Sequence, residues 1–160
     1  MQLNYLNKPY FENGCIKNIS NVLKEHGIKN PLICTDPGLA SMGMSDKIRN
    51  LLSNELSPSL YEETPANPTE KAVNDALTVY RENNCDGVIG FGGGSSMDLA
   101  KTVALMANHE GNVVDYSVNE GGVGKINKTM PMIAIPTTSG TGSEVSLGAV
   151  IIMNDGRKLI

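Results

Sequence analysis

The sequence predicts an α/β fold in which a parallel sheet is flanked by helices. From residue 14 onward, stretches with a helical spacing of apolar residues alternate with short apolar runs. This alternation is typical of strand–helix–strand units, whose strands are parallel. Two of the apolar runs also lead directly into turns rich in glycine or in hydroxyl side chains. Such turns are common at the ligand-binding edge of a parallel sheet.

Four short apolar runs are predicted as buried strands. They are bounded by proline, glycine or asparagine, and they are continuously apolar, as strands covered on both faces are. The predicted strands are residues 31–35, 60–62, 87–91 and 132–135.

Apolar residues at helical spacing predict amphipathic helices near residues 16–23, 44–52 and 73–80. The third helix is expected to begin near Pro68, with Asn67 as its cap and Glu70 at the positive end of its dipole. Another helix is predicted over residues 97–106.

The end of the sequence predicts a hairpin, with a strand over 145–153, a tight turn at 154–156 and a return strand from 157. Because a frayed terminus is usually more polar than Leu159-Ile160, we expect that the sequence was cut from a longer chain. Without repeats or linkers, residues 1–160 are predicted to form one domain.

Composition excludes several functional classes. The 13 Lys and Arg against 17 Asp and Glu give a formal charge of −4, so neither nucleic acid nor an anionic membrane is an expected partner. The first ten residues lack the apolar run of a signal peptide, and we expect a cytoplasmic protein. The 3 cysteines are far apart, which argues against disulfides, and Cys34 is predicted in the core.

A glycine-rich turn follows the third strand, with Gly92-Gly93-Gly94-Ser95-Ser96 leading into a helix. Glycines let a bulky anion approach the backbone, and the N–H groups at a helix start favour phosphate. The alternative is a structural turn that needs positive φ. The order differs from the GxGxxG fingerprint, and the lysine of the P-loop is absent.

A hydroxyl-rich turn follows the fourth strand, with six Ser and Thr side chains and two glycines between residues 137 and 146. Hydroxyls suit ribose, adenine edges and phosphate oxygens. Since parallel strands end on the same side of a sheet, this turn and the glycine-rich turn should face one pocket. Alternatively, Thr141 or Ser143 caps a helix that begins here.

Asp36 follows the first strand and should lie on the same rim. A carboxylate at this position can bind both ribose hydroxyls and repel a 2′-phosphate, which favours NAD over NADP. The alternative is that Asp36-Pro37-Gly38 forms only a turn.

Two segments resemble motifs of the iron-containing, metal-dependent alcohol dehydrogenase family. Residues 92–101, GGGSSMDLAK, are similar to its GGGSxxDxAK segment, and residues 136–144, PTTSGTGSE, to its PTTxGTGSE segment. The resemblance spans essentially the whole chain and corresponds to the amino-terminal, nucleotide-binding half of such enzymes. It implies a Rossmann-like fold of the kind found in the amino-terminal domain of dehydroquinate synthase.

The resemblance also implies which residues bind the cofactor, expected to be NAD in preference to NADP. The pyrophosphate would be held by Gly93, Gly94 and Ser95. The adenine and phosphate side would be lined by Thr137, Thr138 and Thr141. The other implied residues are Asp36 at the adenosine ribose, Asn67 beside the nucleotide, Asp98 toward the nicotinamide, Lys158 at the nicotinamide ribose, and Ser146.

In this family a divalent metal, commonly iron, is bound by one aspartate and three histidines of a carboxyl-terminal helical half. Those positions would follow Ile160, so no metal ligand and no catalytic residue is predicted here. His26 and His109 share no ligand spacing, and both are predicted on the surface.

The intact protein is therefore expected to transfer hydride between a small alcohol or aldehyde and NAD, and this chain alone to be inactive. A non-catalytic nucleotide-binding module is the alternative, and carbocycle chemistry like that of dehydroquinate synthase is a third interpretation. Residues 3–11 are expected to form an edge hairpin that pairs across a homodimer, or an ordinary edge strand.

Overall fold

A four-stranded sheet forms the centre of the protein in the computed structural model, which describes residues 7–160. The strands are hydrogen bonded in the order β2-β1-β3-β4, and all three pairings are parallel. The four predicted strands are confirmed to within one residue at either end. Their bounds are β1, Pro31–Cys34; β2, Ser59–Tyr61; β3, Gly87–Gly92; and β4, Met132–Pro136.

Helices cover both faces of this sheet, as the two separate hydrophobic clusters show. Leu32 of β1 packs in one cluster and Ile33 in the other, because successive side chains of a strand point to opposite faces. The helices are α1, Ile19–Glu25; α2, Pro37–Ser41; α3, Met44–Leu51; α4, Glu70–Glu82; and α5, Gly94–Met106. Short 3-10 helices span Cys15–Asn18, Val113–Tyr116, Val118–Glu120 and Gly122–Lys125.

The strand order places a topological switch point between β1 and β3. From β1 the chain crosses to β2 on one side, and it later returns to β3 on the other side. The loops that follow β1 and β3 therefore leave the sheet in opposite directions and open a crevice at the carboxyl ends of the strands. Ligands bind at this position in open α/β sheets.

Helix α4 begins at Glu70, two residues after Pro68, near which its start was predicted, but the prediction that Asn67 caps it was wrong. The Thr69 hydroxyl accepts the hydrogen bond from the Ala72 N–H at 3.1 Å and is the cap. The carbonyl of Pro68 instead accepts from the Ile152 N–H at 2.9 Å. The segment before α4 is extended because it pairs with the carboxyl-terminal hairpin.

That hairpin consists of β5, Ile151–Ile152, and β6, Lys158–Leu159, which pair antiparallel. The predicted tight turn and return strand are confirmed, but the first strand is shorter than the predicted 145–153. Residues 137–150 form an irregular loop in which Gly140 and Gly142 have φ of 87° and 69°. Since this loop leads into no helix, the interpretation of Thr141 or Ser143 as a helix cap was wrong.

His109 is buried, contrary to its predicted surface position. Its Nδ1 lies 2.7 Å from the carbonyl of Leu105, and its Nε2 accepts from the Asn127 N–H at 2.8 Å. Both ring nitrogens therefore bond to the backbone, and the ring holds the segment at Asn127 against the end of α5. His26 is exposed and ends α1, as predicted.

The predicted edge hairpin over 3–11 lies in part outside the described residues, and residues 7–11 form no strand. Among residues 7–160, every helix is too short or too polar to cross a bilayer.

Candidate functional site

A cleft of about 580 Å³ opens at the carboxyl ends of the parallel strands. All three predicted loops contribute to its lining: the loop after β1, the glycine-rich turn after β3 and the hydroxyl-rich turn after β4. Of the predicted site residues, its walls contain Asp36, Gly93, Ser95, Thr137 and Thr138.

The glycine-rich turn forms the start of α5. Gly93 is the N-cap, and no side chain caps this 13-residue helix. The N–H groups of its first turn, at residues 94–96, are therefore not used by a capping side chain, and the helix dipole adds partial positive charge there. This arrangement is suited to binding an anion.

Two glycines of the turn have a steric reason to lack a side chain. Gly92 has φ 147°, and a Cβ there would lie 2.5 Å from the Ser96 Oγ. A Cβ on Gly93 would lie 3.3 Å from the Thr138 Oγ1. The Thr137 N–H donates to the Gly92 carbonyl at 2.9 Å, so the glycine-rich and hydroxyl-rich turns are in direct contact at one wall of the cleft.

The Ser95 hydroxyl ties the glycine-rich turn to the segment that precedes α4. It donates a hydrogen bond to the carbonyl of Ala66, which also lines the cleft. Because a hydroxyl has one proton to donate, the Ser95 side chain has no second donor for an anion, and its backbone N–H in the first turn of α5 is the donor that remains.

The Asp36 side chain forms the predicted turn at a helix start and also lies at the cleft. Its Oδ1 accepts the Leu39 N–H at 3.0 Å and caps α2, with Pro37 in the first turn of that helix. Its Oδ2 lies 3.3 Å from the position a Cβ on Gly92 would occupy. Asp36 therefore caps α2 with its Oδ1, while its Oδ2 lies at the cleft beside the glycine-rich turn.

Asn67 and Lys158 are brought together, although 91 residues separate them in sequence. The Lys158 Nζ lies 3.4 Å from the Asn67 Oδ1. The hairpin places Lys158 there because Ile152 of β5 bonds to the backbone of Pro68. Asn67 directly follows the cleft residue Ala66 in the chain, but neither Asn67 nor Lys158 belongs to the cleft lining.

The other predicted site residues lie outside the cleft lining. Thr141 faces Gly94, whose Cβ would lie 3.5 Å from the Thr141 Cβ. The Ser146 hydroxyl donates to the Gly148 carbonyl at 3.1 Å. Asp98 lies on the α5 turn that follows the glycines, and both of its carboxylate oxygens already accept hydrogen bonds from the protein.

The side chains whose pKa values are strongly shifted lie in the core. Burial raises the pKa of the Cys34 thiol, and it raises the pKa of Tyr61 and of Tyr80 to about 12. These groups stay protonated at neutral pH, so Cys34 behaves as the small core residue that the sequence predicted.

The sequence did not indicate several residues of the cleft wall. They are Leu39, Met42, Thr64 and Pro65. Leu39 lies in α2, whose five residues are too few to show a helical spacing of apolar residues. An aspartate followed by proline is nevertheless a signal for a helix start.

A second depression, of about 460 Å³, lies away from the cleft. Its lining includes Ile28 and Lys29, which precede β1, and the Lys24–Glu55 ion pair.

The parallel sheet, its switch point and the turns at its carboxyl edge define a Rossmann-like α/β domain. The chain belongs to the iron-containing alcohol dehydrogenase family, whose sequence profile matches residues 7–160. The resemblance stated from the sequence is therefore confirmed.

Two curated relatives illustrate the similarity. The chain is 44% identical to a 4-hydroxybutyrate dehydrogenase of Cupriavidus necator over 97% of its own length and 41% of that protein. It is 39% identical to a choline dehydrogenase of Bacillus subtilis, over 86% of this chain and 35% of that protein. The chain thus spans less than half the length of the curated relatives it matches, and it corresponds to their amino-terminal part.

Solved structures share the fold over nearly the whole chain. A 1,3-propanediol oxidoreductase superposes with a TM-score of 0.87 at 28% identity, covering 99% of this chain and 42% of the other. A sulfoacetaldehyde reductase of Bifidobacterium kashiwanohense in complex with NAD⁺ gives a TM-score of 0.83 at 28% identity, with the same coverage.

Proposed function

We propose that this chain is the dinucleotide-binding domain of an alcohol dehydrogenase, and that it holds NAD while hydride moves between a small alcohol or aldehyde and the nicotinamide. The observation that carries the proposal is the convergence of Asp36, the glycine-rich turn and the hydroxyl-rich turn on one cleft. The NAD⁺ complex of the sulfoacetaldehyde reductase, which has the same fold, supports it.

The residues present fit the diphosphate of a dinucleotide. A phosphate can approach Gly93 and Gly94 closely because no Cβ intervenes, and the first-turn N–H groups of α5 can donate to its oxygens. The exposed hydroxyls of Thr137 and Thr138 provide further donors on the facing turn. Thr141, whose hydroxyl donates to the Glu144 Oε2 at 3.3 Å, would line the same side.

The rest of the dinucleotide would extend to either side of the diphosphate. Asp36 would accept from the adenosine ribose hydroxyls through its Oδ2, which does not serve the helix cap. Asn67 and Lys158 would bind the nicotinamide half, with Lys158 at its ribose. Asp98 would reach toward the nicotinamide, and Ser146 is a further proposed cofactor residue.

The bound nicotinamide would supply the hydride acceptor or donor of the reaction. This chain's own residues would bind and orient the cofactor. The alternative of a non-catalytic nucleotide-binding module uses the same residues.

The iron implied by the family does not fit the residues that the structure describes. Over residues 7–160, no three His, Cys, Asp or Glu side chains are grouped as metal ligands. No step through a metal is therefore assigned to this chain. Cytoplasmic location and homodimer formation also stay predictions.

Isothermal titration calorimetry of the chain with NAD, ADP-ribose and AMP tests the proposal. NAD and ADP-ribose share the diphosphate bridge, so we expect both to bind, and both more tightly than AMP. Equal affinity for AMP, or no binding of NAD, would contradict the assignment of the two turns to a diphosphate.

A separate assay addresses catalysis. With ethanol or 1,3-propanediol, NAD and ferrous or zinc ion, we expect no formation of reduced nicotinamide by this chain. Sustained turnover would show that the chain holds a complete active site.

A further inference from the structure

The apolar side chains of the cleft come from one part of its lining. The glycine-rich and hydroxyl-rich turns contribute hydroxyls beside β3 and β4, whereas the apolar side chains lie beside β1 and β2. These apolar residues are Pro37, Leu39, Met42, Pro65 and Ala66. Because a nucleotide base has apolar faces and polar edges, a base that enters the cleft can place one face against them.

Met42 is the residue of this apolar lining that has most surface left to cover. It follows the five-residue helix α2 and is 64% exposed. Leu39 of the same helix packs against a hydrophobic cluster, but Met42 belongs to neither cluster of residues 7–160. A large apolar side chain that is exposed within a cleft is typical of a ligand-binding surface.

Met42 is also the most exposed methionine of residues 7–160. The other methionines of this range are buried or pack against a hydrophobic cluster. They are Met44, Met97, Met106, Met130, Met132 and Met153. An oxidant in solution therefore reaches the thioether of Met42 before it reaches the others.

Hydrogen peroxide converts a thioether into a sulfoxide. The sulfur donates an electron pair to one peroxide oxygen, the O–O bond breaks, and the other oxygen leaves as water with both protons. The sulfur is oxidised and the peroxide is reduced. The product is polar and chiral, so it no longer offers an aromatic ring the apolar, polarisable contact of a thioether.

We propose that Met42 is an oxidation site that controls dinucleotide binding. The thioether packs against the adenine of bound NAD, its oxidation by a peroxide weakens binding, and reduction of the sulfoxide restores binding. Asp36, which we place at the adenosine ribose, caps the helix that Met42 ends, so Met42 lies toward the adenosine half. The inference rests on the proposed binding of NAD in this cleft.

The first test is calorimetric titration of the full 160-residue chain with NAD before and after treatment with hydrogen peroxide. Mass spectrometry of peptides locates the sulfoxide. We expect oxidation at Met42 to lower NAD affinity by about threefold or more. Treatment with methionine sulfoxide reductases for both epimers should restore the affinity.

Three variants trace the effect to one side chain. Met42→Leu has no thioether in the cleft, so its NAD affinities before and after peroxide should agree within about twofold. Met44→Leu removes the neighbouring, partly buried methionine, and Cys15→Ser removes a partly exposed thiol. Both of these controls should lose affinity on peroxide treatment as the unmodified chain does.

The second test asks whether the ligand covers Met42. A ligand that contacts the side chain leaves only the unbound chains open to peroxide. At ligand concentrations about ten times Kd, NAD and AMP should each slow oxidation of Met42 by about fivefold or more. AMP is included because it carries the adenosine half alone. Oxidation of Met130, away from the cleft lining, should keep its rate.

The inference is overturned if a sulfoxide at Met42 leaves NAD affinity unchanged, or if bound NAD or AMP does not slow its formation. It is also overturned if Met42→Leu loses affinity on peroxide treatment as the unmodified chain does. The untreated chain separates the two claims. If it binds no NAD, the proposed function fails and this inference fails with it; if it binds NAD and oxidation of Met42 has no effect, only the role of Met42 fails.

Discussion

Asp36 follows β1 and Gly92 ends the adjacent parallel strand β3, and a Cβ on Gly92 would lie 3.3 Å from the Asp36 Oδ2. The carboxylate therefore stands beside the turn at which we propose the diphosphate binds. An adenosine ribose attached to that diphosphate would lie within reach of Asp36, and a 2′-phosphate would meet its negative charge.

Asp36→Asn should reduce the preference for NAD over NADP. The amide can still cap α2, whereas the repulsion of a 2′-phosphate is lost. We expect the ratio of NADP to NAD affinity to rise by about tenfold or more, because juxtaposed like charges cost more than about 1.4 kcal/mol. Calorimetric titration with both cofactors measures the ratio.

Asp36→Gly should shift the preference in the same direction and also weaken the helix cap by a few tenths of a kcal/mol. An unchanged cofactor preference in both variants would contradict the assigned role of Asp36.

Gly93→Ala should weaken NAD binding without unfolding the chain. Gly93 has φ −78°, which alanine adopts without strain, but its Cβ would lie 3.3 Å from the Thr138 Oγ1 and fill the space of a phosphate. We expect about a tenfold loss of affinity by titration. Gly124→Ala is the matched control, because nothing lies within 4 Å of its Cβ. Equal NAD binding by the two variants would argue against a phosphate site at Gly93.

Tyr80→Phe should make the protein more resistant to alkali. Burial raises the pKa of Tyr80 to about 12 from the ordinary value of 10.0. The stability gained from keeping Tyr80 neutral is full below pH 10 and is lost as the pH rises through about 12. Phenylalanine has no ionisable group, so the variant does not lose this part of its stability at high pH.

At neutral pH the free energy of unfolding of the same variant should lie within about 0.5 kcal/mol of that of the unmodified chain, since the Tyr80 hydroxyl has no hydrogen-bond partner among residues 7–160. Urea denaturation at pH 7.5 and pH 11 tests both statements. If the two proteins lose stability equally between these pH values, Tyr80 does not titrate as described.

His109→Phe should lower the free energy of unfolding by about 1–3 kcal/mol, because the Leu105 carbonyl and the Asn127 N–H lose their partner. The aromatic ring would still contact Tyr116. His26→Phe, at an exposed helix end, should change stability by less than about 0.5 kcal/mol. Urea denaturation compares them, and equal stabilities would show that the buried hydrogen bonds of His109 contribute nothing.

The sequence predicted the parallel sheet and its helices because their residues carry local signals. Residues 87–92 are apolar and bounded by turn residues, and α4 repeats its apolar residues at helical spacing. The glycine-rich turn was also visible, since a run of glycines between a strand and a helix has few structural explanations.

The incorrect predictions share a physical cause, which is contact between residues far apart in sequence. Residues 145–150 look like a strand, but the Val150 N–H bonds to Asp98 and the Gly148 carbonyl to Lys101. His109 lies among polar residues, yet its ring bonds across to Asn127. The hydrogen bonds of Asp98 and Lys101 to Ser143, Gly148 and Val150 could not be predicted because more than 40 residues separate the partners in sequence.

A crystal structure of the chain grown with NAD tests the central claim most directly. We predict density for the diphosphate between residues 93–95 and residues 137–141, in contact with the first-turn N–H groups of α5. Density for NAD elsewhere, with both turns empty, would contradict the account.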